Sequence, residues 1–184
     1  TGAVNSVFYP ALAKVRNEGK PLGEPYLRLV GGYTGIVWPA LAGLALAAYP
    51  LVNALYGPRW TGVAPILSLL AIAEMILVAL PMAMQVPILL GRLDGIVKRN
   101  AAAATATVLL LIVGARYGGQ GAAFAYVVYA ALWYGVYAVF LQGLTGFRWR
   151  DLLADYGRSL LGTAAAIAPL AAWYRWITPP AAMG

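Results

Sequence analysis

Residues 62–92, GVAPILSLLAIAEMILVALPMAMQVPILLGR, constrain this chain more than any other stretch. The run is too long and too apolar for a helix of a soluble protein, and it predicts a helix that crosses a bilayer. One acid, Glu74, sits well inside it. At about 100° per residue, Pro81, Gln85 and Arg92 fall within about 20° of Glu74. One stripe of the predicted helix therefore carries a carboxylate, a proline, an amide and, at its mouth, a guanidinium. Such a stripe is costly against lipid and suits a face turned to protein or to a wet cavity.

Composition extends this reading to the whole chain. It is 62% hydrophobic and 10% charged, where soluble domains carry about 25% charged residues. The fold expected is an all-α polytopic transmembrane helix bundle forming one domain over residues 1–184. There is no cysteine, hence no disulfide framework or thiolate metal site. There is no histidine either, which removes the commonest general base and metal ligand. No triad, metal cluster or nucleotide-binding glycine motif is present, and the GGQG run at 118–121 lacks the strand that a dinucleotide site requires. Enzymatic activity and cofactors are not expected.

Five spans and the end of a sixth follow from the apolar runs. Residues 3–13 read as the end of a helix already under way, and residues 14–28 as a polar loop. The five spans are expected over about 29–52, 63–90, 100–115, 122–142 and 159–176. Gly31 and Gly35, in GxxxG spacing, allow close approach of a neighbouring helix. Segment 145–158 is amphipathic, with Trp149, Leu152, Leu153 and Tyr156 on one face. It is expected to lie on the membrane surface or to lead into the last span. Trp173, Tyr174 and Trp176 suit an interfacial anchor, with Pro179–Pro180 ending the helix.

The basic residues order these spans. Lysine and arginine number four in loop 14–28, one at 57–62, three at 91–99, one at 116–121, three at 145–158 and one in the tail. The count alternates at every crossing, as the positive-inside rule requires. Loops 14–28, 91–99 and 145–158 are thus expected on the cytoplasmic side. The net charge of +7 reflects this topology, and no nucleic acid is expected as a partner.

Four segments carry a family resemblance: VFYPALAKV, WPALAGLALAAYPLVNALYGPRWTGVAPILSLLA, ILLGRLDGIVKRN and YGGQGAAFAYVV. In order, they resemble the C-terminal lobe of a polysaccharide flippase, the O-antigen and lipid-linked oligosaccharide transporters of the multidrug/oligosaccharidyl-lipid/polysaccharide exporter superfamily. The resemblance runs to about residue 145 and rests on glycines, prolines and one aromatic, which specify fold better than substrate. It implies one lobe of a two-lobe transporter in a bacterial inner membrane. That lobe would help carry an undecaprenyl-diphosphate-linked oligosaccharide to the outer leaflet by alternating access, driven by an ion gradient or the membrane potential. On this reading the chain is a C-terminal fragment whose partners are membrane lipids, the missing N-terminal lobe and polysaccharide-assembly enzymes. The alternatives are a drug/cation antiporter of the same superfamily and a non-transporting membrane scaffold module.

The candidate pathway residues are Glu74, Gln85, Arg92, Tyr126, Tyr129, Trp133 and Tyr137. Glu74 is either a cavity-lining, cation-coupling carboxylate with Gln85 beside it, or an acid satisfied by a neighbouring helix or by solvent. Arg92 either meets a diphosphate at the entrance or simply sets topology. Tyr126, Tyr129, Trp133, Tyr137 and Phe140 fall within an arc of about 80°. That stripe either stacks on sugar rings or packs against lipid and helices.

Overall fold

The computed structural model describes residues 2–92 and 96–177. Among them the secondary structure is helical, with no strand. The helices are α1 (Gly2–Asn17), α2 (Gly23–Leu46), α3 (Ala48–Tyr56), α4 (Ala64–Leu77), α5 (Gln85–Leu89), α6 (Ile96–Ala115), α7 (Gly118–Thr145) and α8 (Trp149–Ile177), with a 3₁₀ turn at Pro58–Val63. Four stretches are long and apolar enough to cross a membrane: 23–46, 58–77, 96–115 and 118–145. The fifth expected crossing, α8, has the length for it, about 43 Å for its 29 residues. It is not among the four, because Arg150, Asp151, Asp155 and Arg158 occupy its first third and Arg175 stands near its end.

Proline placement accounts for three of the breaks. Pro50 would lack a donor and clash within a continuous helix. The chain therefore turns at Ala47 and restarts, so that Pro50 falls in the first turn of α3. Pro65 likewise stands at the start of α4. Pro81 has no N–H to offer the Leu77 carbonyl, and its ring would collide with it. Accordingly α4 ends at Leu77, and the chain is unwound over 78–84 before α5 begins. The single helix expected over 63–90 is therefore two helices with a break between them. Met82, at φ 57°, is the one described non-glycine residue in the left-handed region, a conformation that costs about 1 kcal/mol or more.

The other boundaries shift less. The expected loop 14–28 shrinks to the few residues between Asn17 and Gly23, so Glu24 and Arg28 belong to α2. The segment 145–158 is not a separate surface helix: α7 runs to Thr145, and Trp149 begins the same helix that contains the last span. On its expected apolar face Leu152 and Tyr156 are buried, whereas Trp149 and Leu153 are exposed. Leu93–Gly95 of loop 91–99, the side chains of Trp173, Tyr174 and Trp176, and Pro179–Pro180 lie outside the described residues.

The helices pack in the spatial order α8, α2, α4, α7, α6. Lipid gives no hydrophobic reward for helix association, so close backbone approach through small residues carries the packing. A Cβ on Gly31 would stand 3.5 Å from Asp155 Cγ, and one on Gly35 4.0 Å from Ser159 Oγ, so the GxxxG face meets α8. Thr34 Oγ1 and Ser159 Oγ share a hydrogen bond of 2.8 Å there. Between α6 and α7 the fit is tighter: a Cβ on Gly114 would be 2.6 Å from both Ala125 Cβ and the Gly121 carbonyl oxygen.

These contacts also sort the loops. A Cβ on Gly23 would meet the Phe147 backbone at 3.2 Å, and Arg99 lies 3.9 Å over the Phe140 ring. The basic starts of α2, α6 and α8 therefore share one end of the bundle. A Cβ on Gly119 would meet Ile66 at 2.8 Å, which places the turns bearing Arg59 and Arg116 together at the other end.

The unwound segment exposes carbonyls that lipid cannot hydrate. Aromatic donors from neighbouring helices take them up. Tyr26 Oη donates to the Pro81 oxygen (3.1 Å), Trp38 Nε1 to the Met75 oxygen (2.9 Å) and Tyr156 Oη to the Ala79 oxygen (2.8 Å). Tyr134 Oη in turn donates to Tyr156 Oη at 3.3 Å. All four rings belong to or pack on the main core.

Two measurements test this packing. Tyr156→Phe strips the Ala79 carbonyl of its donor while keeping the ring, and should lower stability by about 1 kcal/mol. A thermal unfolding curve in detergent that matches wild type would show that this carbonyl finds another donor. Gly114→Val overpacks the α6–α7 contact and should cost about 1–3 kcal/mol in the same assay.

Candidate functional site

The break in α4 places polar groups around an open cavity of about 280 Å³ between the helices. Tyr33 of α2, Glu74 of α4, Pro81 of the unwound segment, Gln85 at the start of α5 and Trp133 of α7 line it. Helical periodicity had put Glu74, Pro81 and Gln85 on one stripe. They do share one cavity, but by a different route, because the chain bends around the space instead of running straight past it.

Glu74 is exposed at this surface and makes no ion pair among the described residues. Its carboxylate lies close enough to Tyr126 to interact with that hydroxyl. Gln85 is half-buried. Arg92 departs from the expected stripe: it is exposed, and its backbone N–H donates to the Pro87 carbonyl. The α5 turn has carried it out of register with Glu74, and it does not line the cavity.

The aromatic stripe of α7 forms a lane of two stacked groups on one helix. Tyr126 and Tyr129 stack with ring centroids 5.8 Å apart, and Trp133 and Tyr137 stack at 4.4 Å. Phe140 meets Tyr137 edge-on at 6.4 Å. Tyr137 is buried, and its hydroxyl donates to Asn100 Oδ1 of α6 at 2.6 Å. The lane starts beside Glu74 and ends under the Arg99 guanidinium at the basic end of the bundle. Tyr126, Tyr129 and Trp133 remain half-exposed, so their faces are open to a ligand.

Arg92 was expected at the mouth of the Glu74 stripe, whereas the cation at the end of the aromatic lane is Arg99. Asn100 and Tyr33 were also missed. Lys98-Arg99-Asn100 read as a topology signal, and only the α6–α7 packing shows that its second and third residues turn onto the aromatic stripe. Tyr33 lay within an expected span among glycines, with no polar neighbour in the sequence to single it out.

Chemically, this arrangement offers flat aromatic faces for stacking, an amide and hydroxyls for hydrogen bonds, one carboxylate and one terminal cation. Among the described residues no group of acidic side chains is placed to hold a metal ion.

Comparison with known proteins points to one group. Residues 1–65 match the family described as polysaccharide biosynthesis protein. An uncharacterized membrane protein in the cps region of Klebsiella pneumoniae is 33% identical over 70 residues, covering 38% of this chain and 14% of that protein. The lipopolysaccharide biosynthesis protein WzxC of Escherichia coli (strain K12) is 27% identical over 73 residues, covering 40% of this chain and 15% of that protein. The matches thus span about one seventh of those relatives' length. No solved structure matches. Over residues 1–65 the chain is thus similar to the polysaccharide biosynthesis family, in agreement with the resemblance read from its residues.

Proposed function

We propose that this multi-pass membrane segment is one lobe of a secondary transporter that moves an undecaprenyl-diphosphate-linked oligosaccharide from the inner to the outer leaflet. The observation that carries the proposal is Trp133, stacked on the buried Tyr137 and lining the Glu74 cavity beside an unwound segment. Sugar rings stack on such faces, and the lane's hydroxyls match their hydrogen-bonding edges. Broken helices at mid-membrane are where secondary transporters build their sites. The family match and a relative named for lipopolysaccharide biosynthesis support the substrate class.

In this reading the missing N-terminal lobe closes the other side of the cavity, and alternating access exposes the lane to each leaflet in turn. Glu74 couples the cycle to an ion gradient by taking up a cation, and no cofactor is required. The bundle end that carries the basic loops faces the cytoplasm of a bacterial inner membrane. Polysaccharide-assembly enzymes are the partners on either side of the step.

A second reading has its own support. A lone exposed carboxylate beside Tyr126, with Trp133 lining the same cavity, also suits an organic cation. That arrangement fits a drug/cation antiporter.

Deletion and complementation with the full-length protein separate the readings. Loss of surface polysaccharide supports the flippase, gain of drug sensitivity the antiporter, and neither phenotype a scaffold. Trp133→Ala should reduce polysaccharide export by roughly three- to tenfold, the worth of one aromatic stack. Glu74→Gln should uncouple export from the ion gradient. If the variant exports normally at every pH tested, Glu74 has no coupling role. Single cysteines placed at Asn17 and Arg59 in this cysteine-free segment should label from opposite sides, with Asn17 reached only from the cytoplasm.

A further inference from the structure

A second large cavity lies away from the aromatic lane. It is a cleft of about 720 Å³ between the first turns of α2 and α8, at the basic end of the bundle. Six charged side chains line it: Glu24 and Arg28 from α2, and Arg148, Asp151, Asp155 and Arg158 from the start of α8. Three are guanidiniums and three are carboxylates, so the cleft is balanced in charge.

Part of that charge is already paired. Arg28 meets Glu24 at 2.6 Å and Arg158 meets Asp155 at 3.3 Å, with both arginines largely exposed. Arg148 and Asp151 make no ion pair among the described residues. One cation and one anion therefore remain available in the same cleft. Deeper in, Leu27 and Ala154 add apolar wall, and Ser159, bonded to Thr34, closes the bottom. Gly32 lines the cleft without a side chain, and a Cβ there would meet nothing within 4 Å.

We infer that this cleft binds the headgroup of a zwitterionic aminophospholipid, a phosphoethanolamine, from the leaflet at the basic end. A phosphate accepts from a guanidinium, and charge-assisted pairs of this kind are the strong ones. A primary ammonium three bonds beyond the phosphate donates to a carboxylate. Arg148 and Asp151 offer one of each. An anionic headgroup without the ammonium would take up Arg148 and leave the Asp151 carboxylate without a cation. A trimethylammonium headgroup has no N–H to donate. The position at the end of α2, a helix long and apolar enough to cross a bilayer, matches headgroup depth, and the apolar wall suits the glycerol backbone. The inference does not depend on what the lobe transports.

The test places the full-length protein in nanodiscs of equal phosphatidylethanolamine, phosphatidylcholine and phosphatidylglycerol, with retained lipid counted by native mass spectrometry. Phosphatidylethanolamine should be retained preferentially. Arg148→Ala with Asp151→Ala should weaken that retention about tenfold, the scale of a charge-assisted hydrogen bond. Gly32→Phe, which fills the cleft and leaves every charge in place, should weaken it similarly. A melting curve on each variant confirms folding, and if Gly32→Phe fails to fold, the charge variant alone decides. Equal retention of the three lipids, a preference for phosphatidylglycerol, or a phosphatidylethanolamine preference that survives in the folded variants would overturn the inference.

Discussion

The structure depends on how three peptide carbonyls are satisfied inside a bilayer. Where α4 stops, the oxygens of Met75, Ala79 and Pro81 accept bonds from Trp38, Tyr156 and Tyr26. An orphaned carbonyl in hydrocarbon costs several kcal/mol, so the break exists only because α2 and α8 present donors at that depth. The cavity, the bend that brings Gln85 near Glu74, and the strained Met82 all follow from it. The core is aromatic at this level for the same reason. Tyrosine and tryptophan supply both packing area and a polar tip, and leucine supplies only the first.

Elsewhere the bundle is held by absence of side chain. Gly31 and Gly35 let α8 approach α2, and Gly114 and Gly121 let α6 approach α7. Large apolar residues such as Ile36, Val97 and Leu161 point outward instead, as expected where lipid is as good a solvent for them as protein. The result leaves α7 at the centre of one half. Its small residues Ala123, Ala125 and Ala130 are buried in packing, and its half-exposed aromatic stripe runs between the Glu74 cavity and Arg99.

Much of this was legible in the residues. Apolar length marked four of the five expected crossings, and the alternating lysine and arginine counts anticipated which loops share an end. The period of 3.6 collected Tyr126, Tyr129, Trp133 and Tyr137 into a stripe, and the structure shows them as a lane. What failed was continuity. Periodicity treats residues 63–90 as one rod, whereas Pro81 ends it at Leu77, and the displaced register sends Arg92 away. The cation at the end of the lane, Arg99, could not be found from its own helix, because its partner Phe140 lies 41 positions on and is reached only through packing of α6 on α7. The donors of the clamp were hidden for the same reason. Tyr26 and Tyr156 sat in stretches read as polar loop or surface segment, and their carbonyl partners lie 55 and 77 positions away.

The Thr34–Ser159 bond has a mechanical corollary. It joins α2 to α8 at mid-length, so the three donors gripping the broken helix ride on a single two-helix jaw. If α4 and α7 slide relative to that jaw, they cannot release one grip at a time: Tyr26, Trp38 and Tyr156 must let go together. Such a joint is a detent with discrete positions, stiff until it yields and then free to travel.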